Sequence, residues 1–206
     1  MSMAIDIQTI QALRTKTGAG IADCKVVLEE TNGDMAAAEK LLRERGAIKA
    51  AKRTDKETNE GAVHAYIHAG GRVGVLLMLT CETDFVSRNE KFQELAHDIA
   101  VHIAGADPLY IAQDDIPAAD LEREKEIMRN QLANEGKPAE MMDKIMEGKL
   151  NAWFAEVCLL NQKYVKNEEI TIGELINQHV ASLGERIEVK RFVKFGLAGG
   201  NRGCGV

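Results

Sequence analysis

Several side chains along this sequence could do chemistry, and their spacing decides what kind. The cysteines at 24, 81, 158 and 204 show no CxxC or other metal-ligand spacing, so they read as reduced, mostly buried thiols. The five histidines, at 64, 68, 97, 102 and 179, lack an HExxH or related pattern. His64 and His68 share the polar side of a strand, which suits contact with solvent or a partner better than a metal. His102 falls on the same helical side as Leu95 and Ile99 and reads as a hydrogen-bonded core histidine. TGAGIADCK contains Gly-x-Gly, but it follows a helical pattern and lacks the Gly-Lys-Ser/Thr of a phosphate loop. The nearest thing to a nucleophile is Cys81 beside Glu82, on a strand whose apolar neighbours would keep a thiol protonated and inert. The expectation is therefore no catalytic residues, no metal and no cofactor.

One stretch stands apart. In LTCETDFVSRN (79–89) an acid and a large aromatic, Asp84-Phe85, fall in the short junction between an apolar run and a polar one. Aromatics are scarce here, with five Phe, three Tyr and one Trp. Phe85 either folds back to plug the core where the strand ends or points outward for use by another molecule. Periodicity leaves both dispositions open.

The elements that must position this junction are legible in the pattern. Ile7, Ile10 and Leu13 share one helical face, ended by Gly18-Ala19-Gly20. Cys24, Val27 and Leu28 make a second face, stopped by Asn32-Gly33. Asp34 caps a third helix, in which Met35, Ala38, Leu41 and Leu42 align before a stop at Gly46. AIKAAKRTDKETNE (47–60) has almost no large apolar side chain and reads as a linker, with a helical start left open. GAVHAYIHA then alternates, Val63, Ala65 and Ile67 against His64, Tyr66 and His68. Gly70-Gly71 makes a tight turn into VGVLLMLTC, a central strand, and RIEVKRFVKF returns as a third, with Ile187, Val189, Val193 and Phe195 on one face.

Between these strands the chain is helical. Ser87-Arg88-Asn89-Glu90 matches a capping box ahead of Phe92, Leu95, Ala96, Ile99 and Ile103. A charged helix with Leu121, Met128 and Leu132 follows Pro117 and is interrupted at Gly136-Lys137-Pro138. A Met-rich turn (Met141, Met142, Ile145, Met146) comes next, and a further apolar face after Gly148 holds Leu150, Trp153, Phe154 and Val157. A second capping box, Thr171 to Glu174, opens the last helix. The class is α+β: a three-helix unit (1–46), a linker (47–60), a core with a small three-stranded antiparallel sheet (61–195) and a Gly-rich flexible tail (196–206).

Composition narrows the setting. With 45% hydrophobic and 28% charged residues the chain can bury a core, and a net charge of −6 argues against general nucleic-acid binding. No apolar run approaches a membrane span, and MSMAIDIQ has no basic-then-apolar leader, so the expectation is a cytoplasmic protein without membrane contact.

LRTKTGAGIADCKVVL (13–28), YIHAGGRVGVLL (66–77), TCETDFVSRN (80–89) and KIMEGKLNAWFAEVCLLNQKYV (144–165) together resemble the elongation factor Ts family, in order and over essentially the whole chain. Two departures concern the quoted stretches: Ile21-Ala22 stand where the family often has two bulky apolar residues, and Thr80 stands where Asn is common. A third is larger, since only one Tyr-x-His hairpin unit is present where longer members have two related halves. The resemblance implies a ubiquitin-associated-like head on an α+β core and a guanine-nucleotide exchange factor for elongation factor Tu, without covalent chemistry of its own. It implies that Thr83, Asp84, Phe85 and Val86 enter the partner beside its magnesium, and that a short form works as a homodimer. Secondary contacts are expected from Gly20, Ile21 and Ala22 in the head and from Tyr66, His68 and Arg72 on the hairpin. The rival reading is a protein-interaction module that binds without exchanging nucleotide, its core a dimeric scaffold.

Overall fold

The computed structural model describes residues 5–134, 139–197 and 199–204. Three helices come first: α1 (Ile7–Thr17), α2 (Ile21–Glu30) and α3 (Met35–Ala51). Their turns follow from local chemistry. Gly18 ends α1 at φ 67°, which an L side chain resists, and the Asp34 carboxylate accepts from the amides of Ala36 and Ala37 at the start of α3. Ile10, Leu13, Cys24, Val27, Leu28 and Ala38 close a small separate core.

The stop expected at Gly46 does not occur, and α3 runs on to Ala51. The reason is tertiary. Gly46 is buried under α8 (Ile172–Leu183), where a Cβ would sit 3.7 Å from the Ala181 methyl and from the Asn177 carbonyl. Those distances are ordinary van der Waals contact, and packing against α8 outweighs glycine's poor helix propensity. The polar residues beyond α3 are pinned as well. The Arg186 guanidinium donates to the carbonyls of Thr54 (2.5 Å) and Lys56 (2.6 Å), and buried Thr58 donates to Glu188 at 2.5 Å.

Strands β1 (Glu60–Ile67), β2 (Val73–Cys81), β5 (Ile187–Gly196) and β6 (Gly199–Cys204) pair antiparallel in the order β1-β2-β5-β6. The first three are those expected. The fourth is built by the Gly-rich segment set down above as a tail. A second small sheet pairs β3 (Lys163–Tyr164) with β4 (Asn167–Thr171). One face of the main sheet carries α5 (Glu90–Ala106) and α8, and between them lies the main core, including Leu77, Leu79, Phe92, Leu95, Ile99, Ile172 and Phe192. Helices α6 (Ala118–Asn134) and α7 (Ala139–Val157) extend from this body. Among the described residues no helix is long and apolar enough to cross a membrane.

Further expectations need correction. Gly148 does not divide its segment, because α7 passes through it without a break. The interruption at Gly136–Pro138 and the side chain of Met141 lie outside the described residues, as do residues 1–4. Ser87 does not cap α5. It closes α4 (Asp84–Ser87), its hydroxyl donating to the Asp84 carbonyl at 2.9 Å, and Asn89 caps α5 by accepting from the Lys91 amide. The box at Thr171 and Glu174 does form.

β1 and β5 both present faces that alternation alone misplaces. β2 buries Val75, Leu77, Leu79 and Cys81, and its register pairs Val63 with Met78 and Ala65 with Leu76. Residues directly opposite share a face, so Val63, Ala65 and Ile67 point away from the helices while His64 and Tyr66 lean on α5. In β5 a bulge opposite Met78 and Leu79 inserts one extra residue and switches sides midway. Ile187 and Val189 therefore point inward with Phe192, while Val193, opposite Leu76, and Phe195 point outward, instead of the expected four sharing one face.

Candidate functional site

The junction after β2 is built from both directions. Upstream, Cys81 is fully buried at the end of the central strand, and its thiol donates to the Thr83 carbonyl at 3.2 Å. Downstream, Val86 packs against the main core, and Gln93 of α5 donates to the Ser87 carbonyl at 2.6 Å. Thr83 is the N-cap residue of α4, in extended backbone conformation, with its amide and hydroxyl both held by the Glu185 carboxylate. Between these anchors, α4 is a single turn.

On that turn the side chains separate by direction. Val86 and Ser87 face inward. Asp84 is half-buried and pairs with Arg88 one turn on, at 3.1 Å. Phe85 is 84% exposed, the most exposed large hydrophobic residue described. Of the two dispositions left open by the sequence, the ring takes the outward one. An apolar ring held on a fixed turn with almost nothing covering it can be buried only by another molecule.

The second stretch, around Gly20, lies on the same side of the molecule. Lys91, at the start of α5, donates to the Gly18 carbonyl at 3.4 Å and so links the α1–α2 turn to the Phe85 junction. Gly20 is the N-cap residue of α2, and Ile21 (56% exposed), Ala22 and Val26 form an open face on that helix. The hairpin residues are not brought to this place as one set. Tyr66 is half-buried, stacking edge-on against His97 of α5, and its hydroxyl meets His68 Nδ1 at 2.9 Å. His68 and Arg72 are exposed at the β1–β2 turn.

The remaining reactive groups are spent internally. Burial pushes the Cys81 thiol up to about 11, with the nearby Glu185 carboxylate adding to the effect, so a thiolate nucleophile is absent at neutral pH. His102 is fully buried. Its Nδ1 accepts from the Val165 amide at 3.3 Å, which leaves Nε2 to donate to Gln162 at 2.9 Å, and burial holds it neutral. Among the described residues no group of three or more His, Cys, Asp or Glu could hold a metal ion. What sequence reasoning missed is Glu185. It sits in the turn before β5, 102 residues from Thr83, and nothing local marks it.

Comparison with known proteins fits this geometry. A family model described as Elongation factor TS matches residues 7–199. Elongation factor Ts of Carboxydothermus hydrogenoformans is 48% identical over 196 residues, spanning 95% of this chain and 90% of its own length. The elongation factor Ts proteins of Heliobacterium modesticaldum and Moorella thermoacetica are each 48% identical over 191 residues, covering 93% of this chain and 89% and 94% of theirs.

Proposed function

The chain belongs to the elongation factor Ts family of translation elongation factors, and from that premise we propose that it binds elongation factor Tu carrying GDP and drives GDP release. The observation that carries the reading is the exposed Phe85 ring on an anchored turn. In the complex, Phe85 enters an apolar crevice between helices of the partner's nucleotide domain, with Asp84 making polar contacts beside it and Thr83 and Val86 framing the pair. Displacing those helices withdraws support from the partner's magnesium. GDP then loses charge compensation, leaves, and is replaced by GTP. No bond is made or broken by this chain.

Energy limits what the ring does alone. Exchange needs the factor to prefer nucleotide-free Tu, and by linkage it then weakens nucleotide binding by the same factor. A 10⁴-fold weakening corresponds to roughly 5.5 kcal/mol, whereas burying one Phe contributes about 1.5–3 kcal/mol. A second contact must therefore hold the partner while the wedge acts. Gly20, Ile21 and Ala22 on the open face of α2 supply it. His68 and Arg72 touch either a distant part of Tu or a second subunit, and Tyr66 supports them from behind.

The working form we propose is a homodimer in the cytoplasm. Supporting this, the main sheet turns Val63, Ile67, Leu76, Met78 and Phe195 away from its helices, which leaves a row of exposed large apolar side chains on one face. An unpaired sheet edge is the other candidate, but β6 covers one edge, so the face is the better surface.

The test is release of a fluorescent GDP from Tu, timed with and without this protein. Release accelerated in proportion to factor, reaching a plateau, is expected. Complex formation that leaves the spontaneous release rate unchanged would overturn exchange in favour of a binding module.

A further inference from the structure

The exchange segment is held by a pair of acids that are not part of it. Just past the last rung of the β2–β5 ladder, Cys81 opposite Ile187, the two strands continue as Glu82-Thr83 and Glu185-Arg186. Each segment contributes one carboxylate that accepts the other's main-chain amide. Glu185 Oε2 accepts from the Thr83 amide at 3.0 Å, and Glu82 Oε1 accepts from the Arg186 amide at 2.6 Å. The exchange is reciprocal, and it extends the ladder by side chains where backbone pairing has ended.

A third bond shows what this arrangement displaces. A threonine in the N-cap position ordinarily turns its hydroxyl oxygen toward the second or third amide of its helix. Thr83 does not, and α4 has no side-chain cap. Its hydroxyl instead donates to Glu185 Oε1 at 2.6 Å, so one carboxylate grips the residue before Asp84 and Phe85 at two points. Local helix capping has been given up for a tertiary anchor. Two contacts on one residue fix its orientation as well as its place, and with it the direction in which the chain leaves toward Phe85.

The other half of the pair is braced in turn. Arg53, beyond the end of α3, donates to Glu82 at 2.8 Å. Arg186 reaches Glu188 at 2.5 Å and also ties the Thr54 and Lys56 carbonyls. These partners hold the Glu82 carboxyl below the usual carboxylate range against the opposing effect of burial. The segment that leads out of the three-helix unit is thus bonded to the same turn that orients the exchange segment.

We propose that Glu185, with Glu82 as its reciprocal partner, is a positioning residue for nucleotide exchange: it sets the angle at which Phe85 is presented. The inference rests on the wedge reading above. Pre-organisation of this kind acts on the step in which the ring is inserted, since a loosely held ring must be ordered at that moment.

The test uses the full chain with Glu185→Gln and, because that change could disturb folding, Thr83→Val, which removes only the hydroxyl bond. Two readouts are taken: amide hydrogen exchange at residues 83–86, and GDP release from Tu as a function of factor concentration, with Phe85→Ala alongside. Expected for Glu185→Gln are faster amide exchange and a limiting release rate about tenfold lower, as loss of a hydrogen bond to a charged group implies, with the half-saturating concentration within about twofold, the split expected when only insertion is affected. Glu185→Gln combined with Thr83→Val should be no slower than Glu185→Gln alone, because both changes break the same grip. Unchanged amide protection would overturn the clamp. Lost protection with a wild-type limiting rate, while Phe85→Ala is slow, would overturn its role in exchange and leave the wedge standing. A wild-type rate for Phe85→Ala itself would sink the wedge and this proposal together.

Discussion

Replacing Phe85 by Ala separates a ring that holds its own fold from one kept for a partner. In the free protein the side chain is 84% exposed, so its removal uncovers little and leaves no cavity. The thermal midpoint should stay within about 2 °C of wild type, the usual range for a surface change in a chain of this size. In the complex the same ring becomes covered. Scaling the about 1.5–3 kcal/mol for a fully buried Phe by the 84% that is free gives roughly 1.3–2.5 kcal/mol. At 1.36 kcal/mol per factor of ten, that is about a 9- to 70-fold effect. Where it appears matters as much as its size. If the ring is buried mainly as the nucleotide leaves, the limiting release rate at saturating factor falls and half-saturation barely moves. If the ring is buried equally before and after, half-saturation shifts and the limiting rate holds. Stopped-flow release of a fluorescent GDP over a range of factor concentrations distinguishes these cases. The wedge requires the first. A wild-type limiting rate would refute the wedge, and a midpoint lowered by more than about 5 °C would show that the ring works inside its own molecule.

Two further outcomes follow from the same structure. Leu76→Lys with Met78→Lys places charge on the exposed face of the central strand without touching the core (46% and 41% exposed), so sedimentation should change from twice 22.6 kDa to 22.6 kDa with little loss of monomer stability; a wild-type monomer would remove the proposed dimer. His102 and His179 are held below their ordinary value of 6.5, chiefly by burial, so the unfolded state binds more protons as pH falls through that value. Stability is therefore fully present above pH 6.5 and lost below it, by at most about 1.4 kcal/mol per pH unit for each histidine. Denaturant midpoints should decline from pH 6.5 to 5, less steeply in His102→Gln, and a midpoint that rises over this range would contradict the assignment.

Much of the scaffold was legible because its signals lie within a turn or two of the residues they govern. Gly18, Asp34 and Thr171 mark helix ends by the conformations and acceptors they provide, and Leu95, Ile99 and Ile103 mark a buried face by spacing alone. The suspect junction was legible too, as an aromatic where no element needed one. Its direction was not. An outward Phe85 depends on Val86 being drawn inward and on Thr83 being gripped from the far end of the chain.

By itself, then, the sequence determined most of the helices, three strands of the main sheet, and which short stretch is set aside for use. Tertiary structure decided which sides of β1 and β5 are covered. A central strand that must bury Val75, Leu77 and Leu79 dictates the register of β1, and one extra residue in β5 reverses its sides. It likewise carried α3 through Gly46, since packing against α8 outweighs the poor helix propensity of glycine there. Hydrogen bonding along a helix and alternation along a strand are written within a few residues. The carboxylate of Glu185 finds Thr83 only after the chain between them has folded, and no pattern at either position announces the other.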